Sequence, residues 1–530
     1  MPDDDPAAAA TDGVELTAKV VRGTAVMLAG RVVNAACLFA FSIVMARSLG
    51  RDEYGLIALA MGIAGILEIL GDMGMNTGAA RYIPFHQARK EWDAVRRIVS
   101  INVASKAATA VLLGALLYLL AGLLAGFFGK PIDPLLRIAA LVLAMNVVGG
   151  AAQGLLRGLQ RLGAMSVANA VRDLVWLGTS MALVLGSGLG VEGAVWGYVA
   201  GAVAWAVVNL AAMARGVRTD VPDRGPLAER YQGAMAMTLL TFGVPVMLTN
   251  LIMMVIEWTS TFVIGYDLAV KDLSAFNVAY GMVSMPLVLT QAIGWAMLPA
   301  MSHAYGQGRA DILRGIWQGS VKLVDIVLFP IAALLMAMSA PGIGLLYGSE
   351  YSAAAVPLTI MALMLFFKPV GVICLQMLAA MAMQLHILRA IVVSLAINVV
   401  MNLALVPLWG VEGAAVAATT TFVVNSVLLY SVARSRGGVA MEWRGAGLTA
   451  MSALAAAAAA AAVFLATGAL GDGEAALLAR LLPAGLAALA VYVLLIRGLR
   501  VVGGDELERM RAVGERSALV RLVLRIVVRG

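Results

Sequence analysis

The chain has 530 residues, 62% of them hydrophobic and only 13% charged, with a mean hydropathy of +0.91, against roughly 45–50% apolar and about 25% charged in a soluble domain. That composition excludes a water-soluble globule. The net charge of +7 sits in short connections between apolar runs, where membrane topology accounts for it without a nucleic acid.

The opening stretch, MPDDDPAAAATDGVELTAKVVRG, is acidic and lacks the basic start and short apolar core of a cleaved signal. The first apolar run is therefore expected to remain as a helix behind a cytoplasmic tail at 1–23. Apolar windows of about 20 residues, the length that crosses a bilayer's hydrocarbon core, are broken by charge, Pro and Gly clusters. They predict helices near 24–46, 54–80, 98–126, 134–156, 165–188 and 192–215. After a connection at 216–235, a second set follows near 236–265, 275–301, 320–345, 353–383, 386–406 and 411–433, and an extra pair near 445–469 and 474–497. The expected fold is an all-α polytopic membrane protein of about fourteen transmembrane helices. An N-lobe occupies 24–215, a C-lobe 236–433, and the extra pair 445–497. The last segment, 504–530, carries Arg509, Arg511, Arg516, Arg521, Arg525 and Arg529 among spaced Leu and Val. It reads as a basic amphipathic helix on an anionic leaflet, or as a frayed tail.

Short cytoplasmic loops retain Lys and Arg. Seventeen such residues, Arg89, Lys90, Arg161, Arg309 and Arg436 among them, fall on one side of this arrangement and six on the other. Both termini are accordingly expected in the cytoplasm. The pentapeptide GVEGA occurs at 190–194 and again at 410–414, each time in the turn between a fifth and a sixth helix of a set. Tyr54-Gly55 and Phe276-Asn277 open equivalent helices at nearly the same offset. The two lobes thus read as a parallel duplication about an axis along the membrane normal, an arrangement in which transporters place a substrate site at mid-depth and alternate access.

Cys37 and Cys374 lie inside apolar runs and read as packing residues, and His86, His303 and His386 form no metal-ligand spacing. There is no Walker A sequence. Neither a catalytic constellation nor a bound cofactor is expected, and a proton or sodium gradient is a candidate energy source.

Charges inside a bilayer cost on the order of 2.5–3.5 kcal/mol each and normally face a partner or a wet cavity. At about 1.5 Å of rise per residue, Arg31 and Glu68 are equally far from the turn between their helices and are expected to pair, as a structural or a functional contact. Asp72, one helical turn beyond Glu68, is then the spare carboxylate, a candidate for ion coupling along with Glu257. Lys368, deep in its span and just before a kinking proline, is expected to face a central cavity with no local acidic neighbour. Arg172 is a second cation candidate; Asp173 beside it points about 100° away, so the two are not expected simply to neutralise each other. Lys322 and Asp325 are spaced for an i,i+3 pair. Asn250, Asn277, Gln291, Asn398 and Asn402 place amides in the spans, where they read sugar hydroxyls or bond to neighbouring helices.

The stretch from Phe41 to Pro84, with its Tyr-Gly turn, Asp72-Met73-Gly74 and Arg81, and the stretch GWAMLPAMSHAYGQG from Gly294 to Gly308 resemble the polysaccharide-type flippases of the multidrug/oligosaccharidyl-lipid/polysaccharide transporter superfamily. The resemblance implies a bacterial inner-membrane protein that moves a lipid-diphosphate-linked oligosaccharide from the inner to the outer leaflet by alternating access. It also implies membrane lipids as surroundings, glycosyltransferases or a polymerase of the same pathway as candidate partners, and a monomer. In a related branch the last two of fourteen helices form a groove for the lipid tail. Here the thirteenth predicted helix contains MSALAAAAAAAAVFLA, either such a groove or a plain lipid-facing helix. Arg31, Arg172 and Lys368 suit a diphosphate, whereas Glu68, Asp72 and Glu257 keep a cation-coupled multidrug exporter of the same superfamily as the alternative. A membrane-embedded glycosyltransferase would need acidic residues in a large loop, and the outer loops are short and nearly free of carboxylates.

Overall fold

The structure is a computed structural model that describes residues 33–222, 232–471 and 473–499 together with positions 30 and 501. The predicted tail at 1–23, the amphipathic segment 504–530 and Arg31 lie outside the described residues. Among those described, the chain is helical throughout, and eleven helices are long and apolar enough to cross a membrane.

The first half comprises α1 (Val33–Leu49), α2 (Arg51–Asp72), α3 (Met75–Ala88), α4 (Trp92–Phe128), α5 (Asp133–Gly158), α6 (Leu162–Met181) and α7 (Gly190–Asp220). After it come α8 (Gln232–Asp267), α9 (Val270–Gly306), α10 (Ala310–Ala337), α11 (Ser339–Tyr347), α12 (Ala355–Ala362), α13 (Lys368–Ala380), α14 (Gln384–Gly437), α15 (Trp443–Ala466) and α16 (Glu474–Gly498).

Three predicted continuous spans are interrupted, the ninth at Met338, where α10 gives way to α11. The second stops at Asp72 because Met73 and Gly74 have φ of 49° and 68°, and the chain restarts as α3. Gly74 is required there twice over. Its backbone is left-handed, and a Cβ would overlap the carbonyl of Gly243 on α8. The tenth predicted span breaks into α12, a 3-10 turn at Leu363–Phe366 and α13, so Lys368 opens a new helix with Pro369 beside it.

The two GVEGA copies fold alike. Gly190 and Gly410 have φ of 55° and 60°. A Cβ on Gly193 would press against Leu183, and one on Gly413 would overlap the carbonyl of Leu405. Gly410 divides the 54-residue α14 into two arms. Ser394 bonds Asn425 and Asn398 bonds Thr421, pairs that close antiparallel about the turn, so the arms are two spans. Ser180 Oγ similarly donates to the carbonyl of Ala194 across the first turn.

The chain divides into two compact units, the described residues of Met1–Leu49 with Leu56–Met254, and those of Gly50–Gly55 with Val255–Gly530. The division falls within α8 rather than in the 216–235 connection. The first part of α8 belongs with the first unit because Gly243 lies on Gly74, Leu239 on Gly78, and Phe242 edge-on to Tyr82.

In the first unit α5 packs against α3, α4 and α7. Gly154 and Gly158 let the backbone of α3 approach closely at Asn76 and Ala79, the small-residue packing that membrane helices use. Outward residues of α4 such as Val111, Leu119 and Leu123 are exposed apolar groups suited to lipid. In the second unit, the alanine run of α15 is only partly lipid-facing. Ala453, Ala456, Ala457 and Ala460 are buried with Ala484, Ala488 and Tyr492 of α16 and with Phe329 and Ala333 of α10. The small side chains there bring three helices together. Cys37 and Cys374 are both free and buried.

Candidate functional site

The first unit holds a connected set of polar side chains inside its apolar helices. The break after Asp72 exposes the end of α2, and Lys106, eight residues after the predicted start of the α4 span, reaches it. Lys106 Nζ lies 2.5 Å from Asp72 Oδ1, with the lysine side chain 3% and the aspartate 25% exposed. Asp72 is therefore not the spare carboxylate. The lysine comes from a helix 34 residues away in the chain, beyond the reach of local spacing. One turn back along α2, Asn146 Nδ2 on α5 donates to Glu68 Oε2 at 2.9 Å. Lys106, Asp72 and Arg172 all lie within electrostatic range of Glu68, and Asp72 within that of Arg157. The expected partner of Glu68, Arg31, is outside the described residues.

Arg172 and Asp173 on α6 do meet, against the expectation from their 100° separation. The long arginine side chain bends back, and Nε donates to Asp173 Oδ1 at 3.0 Å. Asp173 is 1% exposed, and its other oxygen accepts from Asn34 Nδ2 at 2.9 Å. The arginine side chain remains 35% exposed, its guanidinium carbon 5.7 Å from the Trp205 ring centroid. Trp205 is itself oriented, because its Nε1 donates to Asn169 Oδ1 at 2.8 Å, an oxygen that also accepts from Gln153 at 3.0 Å. The result is an arginine fork gripped along one edge and seated over an indole. Such a fork is suited to bidentate contact with phosphate or carboxylate.

In the second unit Lys368 Nζ stands 3.6 Å above the ring centroid of Phe422, a cation–π contact. It has an acidic neighbour after all: Glu257 on α8 acts electrostatically on both Lys368 and Tyr280. Glu257 is 111 residues away in sequence, so only the fold reveals it.

The predicted amides divide. Asn398 donates to Thr421 Oγ1 at 3.1 Å and Asn402 to the carbonyl of Asn398 at 2.8 Å, and both are buried within α14. The Asn398 bond joins the two arms, and the Asn402 bond stays within the first arm. Asn277 donates to the carbonyl of Leu273 in its own helix. Asn250 and Gln291 are exposed. Sequence reasoning missed Lys106, Asn146, Asn34, Asn169, Trp205 and Phe422. Of these only Lys106 carried a signal, as a lone cation within an apolar run.

The family of polysaccharide biosynthesis proteins matches residues 44–357, more than half of the chain. A probable low-salt glycan biosynthesis flippase, Agl15, of Haloferax volcanii is 23% identical over 385 residues, 72% of this chain and 77% of that protein. The solved lipid II flippase MurJ in its inward closed conformation superposes with a TM-score of 0.67 at 12% identity, over 91% of this chain and 100% of that one. The inward-facing conformation of a multidrug resistance MATE family transporter of the MOP superfamily superposes with a TM-score of 0.64 at 15% identity, over 79% and 98%. With a family match over more than half its length and a superposable all-helical fold, this multi-pass membrane chain belongs to the polysaccharide biosynthesis protein family.

Proposed function

We infer that the chain is a flippase for a lipid-diphosphate-linked oligosaccharide, a precursor of a cell-surface polysaccharide, which it carries from the inner to the outer leaflet by alternating access. The observation that carries this reading is Arg172, a guanidinium inside an apolar helix whose Nε edge is held by Asp173 and whose side chain stays 35% exposed. A phosphoryl oxygen pair fits the outer edge of such a fork, and contacts to charged groups contribute about 1.5–3 kcal/mol each. Lys368, held over Phe422 at the start of α13, is proposed as the second unit's phosphate contact, and Arg31 as a further one. The flippase Agl15, 23% identical over most of both chains, supports the substrate class.

The acidic members of the polar set, Glu68, Asp72 and Asp173, are each engaged by an amide or a cation. That leaves less negative charge on offer to a cationic drug than their number implies, and it ranks the exporter second. The chain is proposed to sit in the bacterial plasma membrane with both termini in the cytoplasm, to act as a monomer, to draw on a proton or sodium gradient and to work beside the glycosyltransferases or polymerase of its pathway.

Reconstitution into proteoliposomes with a fluorescent lipid-diphosphate oligosaccharide tests the reading. The labelled headgroup is expected to become accessible to an impermeant quencher from the opposite face, and a neutral lipid-linked sugar is not. Export of a cationic dye without movement of the diphosphate lipid would move the exporter reading ahead.

A further inference from the structure

The second unit contains a pocket of about 260 Å³ between α10 and α15, remote in sequence from every residue assigned above to substrate. Its charged lining is Lys322, Asp325 and Glu442. Lys322, spaced for a pair with Asp325, reaches instead to Glu442 at 3.2 Å. Asp325 is left 3% exposed, and its Oδ1 has no hydrogen-bond partner among the described residues.

Two hydroxyl protons near this oxygen are committed elsewhere, and the indole N–H of Trp317, which also lines the pocket, has no hydrogen-bond partner among the described residues and does not reach it. Thr449, which lines the pocket and is 1% exposed, donates its hydroxyl proton to the carbonyl of Gly445 at 2.8 Å. Tyr492, within electrostatic range of Asp325, donates to the carbonyl of Ile326 at 2.6 Å. The pocket therefore presents oxygen lone pairs: Asp325 Oδ1, the second lone pair of Thr449 Oγ1, the Gln318 amide and Glu442. Among the described lining residues two carboxylates stand against one ammonium, an excess of one negative charge when both are ionised. A buried carboxylate without a compensating partner is costly, and one positive charge removes that cost. Divalent ions favour several carboxylates, and Lys322 opposes them here.

We propose that the pocket between α10 and α15 is a binding site for a monovalent alkali cation, with Asp325 Oδ1 as its charged ligand and Thr449 Oγ1 as a neutral one. A cation bound there links α10 to the α15–α16 pair. The proposal stands apart from the transport reading, since binding is measurable on protein that moves nothing.

Thermal unfolding of the purified full-length protein in NaCl, KCl and N-methyl-D-glucamine chloride at constant ionic strength tests it. Saturable stabilisation by sodium or potassium over the bulky cation is expected. Asp325→Asn is expected to weaken the apparent cation affinity at least about tenfold. Glu192→Gln, which removes a carboxylate in the first unit, is expected to leave it unchanged. If Asp325→Asn does not accumulate, Thr449→Val provides the second test, with a smaller loss of affinity expected. Equal unfolding temperatures of the parent in all three salts overturn the proposal. So does a dependence on pH alone, identical in the three salts, which assigns Asp325 a proton in place of an alkali ion. Parent-like affinity in either pocket variant has the same meaning.

Discussion

The ammonium of Lys106 stands 2.5 Å from Asp72 Oδ1, tying the interior of α4 to the last residue of α2 where that helix breaks. Replacing Lys106 with Met strands the carboxylate, and stranding one partner of a buried pair typically costs 3–5 kcal/mol. Asp72 keeps 25% exposure, so a smaller cost of about 2–3 kcal/mol is expected. The double variant Lys106→Met with Asp72→Asn should recover most of it. Thermal unfolding of the purified variants checks this, and a single variant as stable as the parent would remove the pair from the account.

For the proposed phosphate contact, Arg172→Gln should reduce binding of the diphosphate lipid about tenfold to a hundredfold, with little effect on a neutral lipid-linked sugar. Arg172→Lys keeps the charge but loses the planar fork, so a partial loss is expected. Binding in nanodiscs measures both. Equal loss for the charged and the neutral ligand would mean that Arg172 supports the helix rather than the substrate.

At the α2–α3 break, Gly74→Ala meets both a left-handed backbone and the carbonyl of Gly243. A cost of about 2–4 kcal/mol is expected from strain and overpacking together. Gly126→Ala is the control, since it lies in α4 with nothing within 4 Å of the added methyl. It should be neutral or stabilising by up to about 1 kcal/mol. The comparison fails if the two variants unfold at the same temperature.

The duplication predicts a shared membrane face for the two GVEGA turns. Cysteines placed at Glu192 and Glu412 should both react with an impermeant maleimide added from outside the cell. The native Cys37 and Cys374 are buried and contribute little background. Labelling from opposite faces would exclude a parallel repeat.

The membrane class, the all-helical fold and the duplicated turn were legible because each rests on local pattern: apolar windows, breaks, and a repeated word whose glycines at 190 and 410 both have positive φ. The partners of the buried charges were not. Lys106 pairs across 34 residues, and Glu257 acts on Lys368 from another helix, so no spacing rule reaches either. The Arg172–Asp173 contact was misjudged for a different reason. The 100° rule describes where Cβ atoms point, and four side-chain torsions let arginine overcome it. The alanines of α15 could be read as small and apolar, but only the packed structure shows that smallness there serves close approach of α10 and α16.

The turn at Gly410 bears on how the chain enters its membrane. The two arms of α14 meet through Asn398 and Thr421, only 23 residues apart, with almost no loop between them. Neither arm has slack to wait in water while the other inserts, and each holds an amide or hydroxyl whose bonding partner is on the other. Partitioning as a single preformed hairpin answers both constraints, since it carries those polar groups into lipid already bonded. The glycine turn that lets the chain reverse thus also favours integration of these two segments together.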